Sequence, residues 1–268
     1  LQFAVQVLRG AVASPFGYAV ACRVPEGSFS IPGGAIPLTA PANLSVAGAT
    51  YVLQNDVAAA GTAFTISAPD VTLDLGGHTV TYGTGAGAAQ GVYSEYLYNA
   101  GKTTVRNGAI VEGGGSGGQR HGVYFRGAHD VRLTHLTVLI ASITECLGTK
   151  ALVANGYMIA VYKPSTDVFE NELAGESRGI HFDGTDGDAH GSLCHDNVIA
   201  VQDQPNPEYP DFHWVHGIKL EGARNVVVTR NFVTGVADDA HAEVRCLDLD
   251  VESATGVRIE RNRFTARA

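Results

Sequence analysis

The sequence has 268 residues, of which 45% are hydrophobic and 17% are charged, and this balance excludes a disordered chain. No apolar run reaches the roughly 18 residues of a transmembrane helix, so no membrane span is expected. Lys and Arg number 18 against 27 Asp and Glu, a net charge of −9 that argues against a nucleic-acid-binding protein. The 33 glycines favour many tight turns over a helical bundle.

The N-terminal region, residues 1–45, shows no internal repeat. Its first 13 residues fit a short amphipathic helix or strand. Stacked coils need such a cap, because an open end exposes the core and unpaired backbone. We therefore expect residues 1–45 to form an N-terminal cap and lead-in, and residues 46–268 to form a β-helix domain. Residues 257–268 carry no equivalent cap, so an oligomeric partner or a further segment is expected to cover that end.

Short strands are predicted in the region that follows residue 45. Residues 63–66 and 71–75 are predicted strands separated by a turn, and residues 104–110 begin another coil. Five similar segments come next, four of which have Gly at the second place, and all have apolar residues at the third and fifth. This period-2 alternation predicts short, half-buried strands. The segments begin at His121, Asn155, Arg178, His216 and Arg245.

A second strand follows in each repeat, and four of the five carry asparagine at one shared place. These residues are Asn171, Asn197, Asn231 and Asn262. Each unit is too small to bury its own apolar face, and stacking the units as parallel coils solves this problem. Asparagine favours left-handed turns, and stacked amides can form a ladder of hydrogen bonds. The sequence therefore predicts an all-β, right-handed parallel β-helix of about seven or eight coils, with two strands per coil.

Residues 51–57 and 71–80 resemble the first coils of right-handed parallel β-helix proteins, and the later Gly-Ile-x-Leu and x-Asn-x-Phe pairs resemble their inner coils. This is the pectate-lyase-like superfamily, and the resemblance covers roughly residues 46–266. It implies the fold and a secreted or extracytoplasmic location. The superfamily includes polysaccharide lyases, glycoside hydrolases, epimerases, esterases, tailspikes and adhesins, so the resemblance leaves the activity open.

Two outward-facing columns are expected from the alternation, because the third and fifth places point inward. Neighbouring coils lie about 4.8 Å apart, so such columns bring side chains together. The fourth-place column reads Tyr124, Met158, His181, Lys219 and Asp248, and the sixth-place column reads Arg126, Ala160, Asp183, Glu221 and Asp250.

Three carboxylates in the sixth-place column, Asp183, Glu221 and Asp250, stand on consecutive coils. At about 5 Å two of them would repel by roughly 1 to 3 kcal/mol, so a compensating cation is expected. Ca²⁺ suits carboxylate oxygens, and the three acids are the predicted metal ligands. Lys219 could neutralise part of this charge instead. A solvated polar face is the alternative reading.

A lysine beside acids suits β-elimination of a uronate polymer, which needs a group to neutralise the substrate carboxylate, a base and an acid. Lyases of this fold commonly pair Ca²⁺ with a Lys or Arg base, which the resemblance carries over as a role only. We expect Lys219 or His213 to take the proton. His181 and Tyr124 lie on the same predicted face and complete the predicted catalytic set.

The long loop at residues 202–215 leads into the strand that carries Lys219. Its aromatic residues Tyr209 and Trp214 are expected to form a sugar-binding wall, since functional side chains are frequent on such loops. Arg126 and His216 complete the predicted substrate-binding set. The predicted partner is therefore a polysaccharide, and no organic cofactor is expected.

Two other classes of function stay open. A glycoside hydrolase needs two carboxyl groups about 5 Å apart for retention or about 6.5–9.5 Å apart for inversion, and the acidic column offers both separations. A uronate epimerase on the same fold is a related alternative. A non-catalytic solenoid, such as an adhesin, a tail fibre or a sugar-binding module, would spread its polar residues evenly over all faces.

Overall fold

The computed structural model describes residues 33–94, 102–115, 120–125, 131–139, 159–161, 166–176, 178–184, 190–202, 213–237, 242–249 and 254–267. These residues form parallel strands stacked as a β-solenoid, and they include no helix. Accordingly, this part of the chain offers no apolar helix of membrane-spanning length.

The described strands, in chain order, are β1 (Ile36–Leu38), β2 (Ala42–Leu44), β3 (Thr50–Leu53), β4 (Val57–Ala58), β5 (Phe64–Ile66), β6 (Thr72–Asp74), β7 (Thr79–Tyr82), β8 (Ala89–Ser94), β9 (Thr103–Glu112), β10 (Arg120–Phe125), β11 (Val131–Leu139), β12 (Ile159–Val161), β13 (Asp167–Phe169), β14 (Glu172–Glu176), β15 (Arg178–Asp183), β16 (Leu193–His195), β17 (Val198–Gln202), β18 (His213–Glu221), β19 (Val227–Thr229), β20 (Phe232–Val236), β21 (Ala242–Leu249), β22 (Arg258–Glu260) and β23 (Arg263–Arg267).

The strands build three walls. Wall 1 is the eight-stranded sheet β2-β5-β8-β10-β12-β15-β18-β21. The other sheet has fifteen strands and bends into two walls. Wall 2 runs β1-β3-β6-β9-β11-β13-β16-β19-β22, and wall 3 runs β4-β7-β9-β11-β14-β17-β20-β23, with β9 and β11 long enough to cross both. Strands β1 and β2 fall within the predicted lead-in and already pair with β3 and β5. The predicted cap would lie largely outside the described residues.

The prediction of two strands per coil is wrong, because the predicted second strand is divided in two. In one coil β16 and β17 replace the single strand expected from Cys194 to Ile199. Asp196 between them has a φ of 57°, in the left-handed region, and this conformation turns the chain from wall 2 to wall 3. Glu170, Arg230 and Arg261 occupy the same place with φ of 54–57°. The left-handed residue therefore precedes each asparagine, whereas the sequence assigned that conformation to asparagine itself.

The predicted asparagine ladder is confirmed. The side-chain nitrogens of Asn171, Asn197 and Asn231 each donate to the Oδ1 atom of the next asparagine, at 3.0, 2.9 and 3.0 Å. Each Oδ1 also accepts a backbone N–H from the preceding coil, as Asn231 Oδ1 does from Asn197 at 3.1 Å. The ladder therefore satisfies buried polar groups at the bend between walls 2 and 3.

The inward places of wall 1 are as predicted: Ile180, Phe182, Ile218 and Leu220 are at most 1% exposed. The glycine place also points inward, since a Cβ on Gly217 would clash with Cγ1 of the fully buried Val233. Two successive inward places mean that wall 1 bends at the glycines. The first place of each segment therefore faces outward, as the fourth does.

The predicted register needs one correction. Tyr124 lies opposite Ala160 in the parallel pairing of β10 and β12, so Ala160 takes the place assigned to Met158. The error is a shift of two residues, which keeps every side chain on its predicted face of the sheet. Met158 itself lies outside the described residues.

The last described coil exposes part of its apolar face. Ile259 and Phe264 are each 38% exposed, although their register partners Val228 and Val233 are fully buried. The expectation that a partner or a further segment covers this end stays a prediction.

Candidate active site

The outer faces of β15 and β18 bring together four of the side chains predicted from the sequence. His181 lies opposite Lys219, and Asp183 lies opposite Glu221, in the parallel register of the two strands. The Lys219 ammonium donates to Glu221 Oε2 at 2.5 Å, and His181 Nε2 lies 3.2 Å from the same oxygen. One carboxylate oxygen therefore links the lysine to the imidazole.

Two of the four side chains are buried, although the cluster lies on the outer side of wall 1. His181 and Asp183 are 4% and 5% exposed. The side chains of Lys219 and Glu221 keep 21% and 31% of their accessible surface. An approaching molecule therefore meets the lysine–glutamate pair, while the buried groups set the electrostatic environment.

His181 is a neutral imidazole at physiological pH. Burial is the largest influence and lowers its pKa from 6.5 to about 4, with a smaller contribution from the nearby Lys219 ammonium. Asp183 and Glu221 act in the opposite direction without cancelling the effect of burial. With Nε2 donating to Glu221, the neutral ring keeps Nδ1 as its acceptor atom.

Glu221 is ionised in the same environment. Burial raises its pKa, but the hydrogen bond and the positive charge of Lys219 more than offset burial, and the pKa of Glu221 is lowered overall. The negative charge of Glu221 is therefore balanced by Lys219, and this reduces the repulsion expected within the acidic column.

A second histidine, His216, lies beside this cluster on β18, at the first place of the repeat segment. His216 is 5% exposed, and its Nε2 atom lies 3.7 Å from Asp248 Oδ2 on β21. Asp248 is the register partner of Lys219 and also accepts from Arg245 at 2.8 Å. The sequence assigned His216 to substrate binding, and the structure places the Asp248 carboxylate near its imidazole, just beyond hydrogen-bonding distance.

Aromatic side chains line the same face toward the N-terminal coils. The rings of Tyr93 and Tyr124 are stacked, with centroids 5.9 Å apart and planes inclined by 19°. The His121 ring lies 4.5 Å from the Tyr124 ring. Tyr124 and His181 are separated by the one strand that carries Ala160, which corresponds to roughly 10 Å.

Tyr93 was not predicted from the sequence, although the sequence carries a signal for it. Residues 91–93 read Gly-Val-Tyr, as do residues 122–124, and β8 and β10 pair with Val92 opposite Val123. The segment beginning at Gln90 is therefore one more copy of the wall 1 repeat. Searching for the Gly-Val-Tyr triplet would have found it.

Several predicted site residues cannot be placed with this cluster. Arg126, Tyr209 and Asp250 lie outside the described residues, as do the side chains of His213 and Trp214, whose backbones belong to β18. Within the described ranges no group of three His, Cys, Asp or Glu side chains is arranged to hold a metal ion. The predicted Ca²⁺ site is thus represented by Asp183 and Glu221 alone, and it stays a prediction.

Comparison of the chain with protein-family models, with curated proteins and with solved structures finds no match. The fold and the site define an all-β parallel solenoid with a titratable cluster on its outer surface. The likeness to the pectate-lyase-like superfamily rests on the sequence patterns of the coils.

Proposed function

We propose that this protein is a carbohydrate-active enzyme that cleaves an acidic, uronate-containing polysaccharide by β-elimination on the outer face of wall 1. The observation that carries the proposal is the cluster in which Lys219 and His181 share Glu221 Oε2. Such a cluster combines a partly exposed cation with a carboxylate and a buried neutral imidazole. A stacked tyrosine pair lies farther along the same face.

Lys219 is proposed to neutralise the carboxylate of the substrate. Its short contact with an ionised glutamate identifies it as an ammonium group, so it is a cation before substrate arrives. The incoming uronate competes with Glu221 for this ammonium. Neutralising the uronate carboxylate makes the neighbouring C5–H bond more acidic, which lowers the barrier to proton removal.

His216 is proposed as the base, and the nearby Asp248 carboxylate would stabilise its ring once it has taken a proton. The base takes the C5 proton, a double bond forms between C5 and C4, and the C4–O bond breaks. The departing oxygen then takes a proton from water or from the protonated His216, and the polymer is cut. His213 remains the second candidate for the base from the sequence analysis, and Lys219 moves to the neutralising role because of its pairing with Glu221.

Tyr124 is proposed to bind sugar rather than to transfer protons. It lies roughly 10 Å from His181 in the strand stack, too far for both to act on one bond. Stacked aromatic rings offer an apolar face on which a sugar ring can pack. The polymer would therefore run along the solenoid, from the Tyr93–Tyr124 pair toward Lys219.

The competing hydrolase reading needs a protonated carboxyl group as general acid. The lowered pKa of Glu221 keeps that carboxyl ionised, which disfavours it as the acid. The proposed steps need no Ca²⁺, since Lys219 already compensates Glu221. Ca²⁺ at Asp183, Glu221 and Asp250 remains a separate proposal, which a loss of activity with a chelator would support.

We propose a right-handed β-helix of about seven or eight coils, similar to those of the pectate-lyase-like superfamily, with an N-terminal cap in residues 1–45. The eight parallel strands of wall 1 support the coil count. An extracytoplasmic location would match a substrate found outside cells.

The role of Lys219 is tested by comparing Lys219→Ala with Lys219→Arg. We expect Lys219→Ala to lower kcat by roughly 100- to 1,000-fold, as removal of one preorganised electrostatic contact does. Lys219→Arg should keep activity within about tenfold, because arginine preserves the cation but cannot lose its proton. The matched control is Lys102→Ala, at an exposed lysine far along the stack. An arginine variant as inactive as the alanine variant would instead make Lys219 the base, and full activity in Lys219→Ala would refute the site.

A further inference from the structure

A second groove lies on the outer face of wall 2, on a different side of the solenoid from the candidate active site. It has a volume of about 340 Å³ and combines hydroxyl groups, two guanidinium groups and one aromatic ring. The residues that matter for its chemistry are Thr50, Thr72, Thr104, Arg106, Arg132 and Phe169.

Three threonines form a row of hydroxyl groups in this groove. Thr50 pairs with Thr72, and Thr72 pairs with Thr104, on three successive parallel strands. Neighbouring strands place such hydroxyls about 4.8 Å apart. All three side chains are partly exposed, and none of the hydroxyls bonds to another described residue. The row is therefore open to an outside partner with its own hydroxyl groups.

Arg132 supplies a cation to the groove. It is the register partner of Thr104, is exposed, and forms no ion pair with any residue in the described ranges. Its guanidinium carbon lies 5.8 Å from the centre of the Phe169 ring. Arg106, two residues along the neighbouring strand, uses Nε to bind Asp74 at 2.9 Å. No described hydrogen bond uses the two terminal nitrogens of Arg106.

Phe169 forms a firm side of the groove. Its ring stacks on His195 with centroids 5.1 Å apart and planes inclined by only 8°. His195 is itself fixed by Asp167 at 3.0 Å and by Asp196 at 2.7 Å. The aromatic surface is therefore held in place before any ligand binds, which reduces the entropy lost on binding.

We infer that this groove is a second, non-catalytic binding site for an acidic saccharide. Arg132 would bind the carboxylate or sulfate of one sugar unit, the threonine row would bond to sugar hydroxyls, and the ring edge of Phe169 would contact the C–H groups of a sugar. A nucleic acid is disfavoured, because the groove lining offers only Arg106 and Arg132 as guanidinium groups for a phosphate backbone. The site would hold the polymer while another part of it occupies wall 1, so it extends the proposed function without depending on cleavage.

The test measures binding by calorimetry in a Lys219→Ala background, which prevents cleavage and removes the cation of the wall 1 site. The probes are an oligouronate, a neutral oligosaccharide of equal length, and inorganic sulfate. We expect Arg132→Ala to weaken oligouronate binding about tenfold while leaving binding of the neutral saccharide unchanged. Thr72→Val, which removes a hydroxyl and keeps the branched shape, should weaken both saccharides.

The matched control is Arg258→Ala, because Arg258 belongs to the same column of wall 2 as Arg132 but lies at the far end of the stack. This variant should bind the oligouronate as tightly as the background protein. Equal affinity in Arg132→Ala would overturn the inference. So would sulfate binding as tightly as the oligouronate, since a site for any small anion is not a saccharide site. If the protein binds the oligouronate but cleaves no polymer, the inference of a saccharide site in this groove is supported and the proposed activity is refuted.

Discussion

At the scale of single residues, one carboxylate oxygen organises the candidate active site. Glu221 Oε2 contacts both the Lys219 ammonium and the His181 ring. Breaking such a partly buried arrangement by removing one partner is costly, because the other charge loses its compensation. The same arrangement makes the protonation state of His181 part of the stability of the fold.

The stability of the protein should fall as the pH drops from about 6.5 to 4, because burial lowers the pKa of His181 to about 4 in the folded chain. Within this window the unfolded chain binds more protons, so acidification favours unfolding by about 2 kcal/mol. The lowered pKa of Glu221 acts in the same direction at still lower pH, because protonation removes its bond to Lys219.

The corresponding measurement is urea unfolding at pH 7 and pH 4.5 of the parent and of His181→Gln. The variant should lose about 2 kcal/mol less than the parent between these two values. His135→Gln changes an exposed histidine on wall 2 and should behave like the parent. An equal loss in His181→Gln and the parent would show that His181 does not titrate as described.

At the scale of structural elements, the asparagine ladder fixes the bend between walls 2 and 3. Asn231→Ala should destabilise the protein by roughly 1–3 kcal/mol, because it removes the side-chain acceptor of the Asn197 backbone N–H and a side-chain donor to the Cys194 carbonyl. Thermal unfolding of the variant measures this cost. Asn43→Ala removes an exposed asparagine from wall 1 and should change little. Equal melting temperatures for Asn231→Ala and the parent would contradict the role of the ladder.

The glycine column fixes the bend within wall 1. Gly217→Ala would place a Cβ 2.3 Å from Val233 Cγ1 and 2.5 Å from a backbone oxygen, so we expect destabilisation of roughly 1–3 kcal/mol. Gly61→Ala is the matched control, because no atom lies within 4 Å of its added Cβ. Chemical denaturation distinguishes the two. Similar stabilities for both variants would mean that the bend tolerates a side chain.

The sequence predicted the elements that are marked by a recurring residue type or by a regular alternation of apolar residues. Alternating apolar residues predicted the inward places, and the shared asparagine predicted the ladder. The division of the second strand was missed, because the left-handed residues Glu170, Asp196, Arg230 and Arg261 are not of one residue type. The inward direction of the glycine place was missed because glycine has no side chain that could contribute to a hydrophobic period.

At the scale of the whole molecule, the parallel register aligns equivalent residues of successive coils, so that each outward place of the repeat forms a continuous strip of surface. It brings His181 and Lys219 together, as the period predicted, and separates Tyr124 from them by an intervening strand. The sequence could predict the column but not the contacts within it, because side-chain pairing depends on rotamers and burial. The groove of wall 2 escaped prediction because its threonines lie on early coils, outside the five aligned segments.

The most direct test of the account is whether the protein makes unsaturated uronate ends. Purified full-length protein is incubated with pectate, alginate, glucuronan and hyaluronan, and the ultraviolet absorbance of the new C4–C5 double bond is followed over time. The account predicts rising absorbance with at least one of these polymers, and none when Lys219→Ala replaces the parent. Polymer cleavage that yields reducing ends without this absorbance would contradict β-elimination and favour the hydrolase, and the absence of any cleavage would favour a binding solenoid.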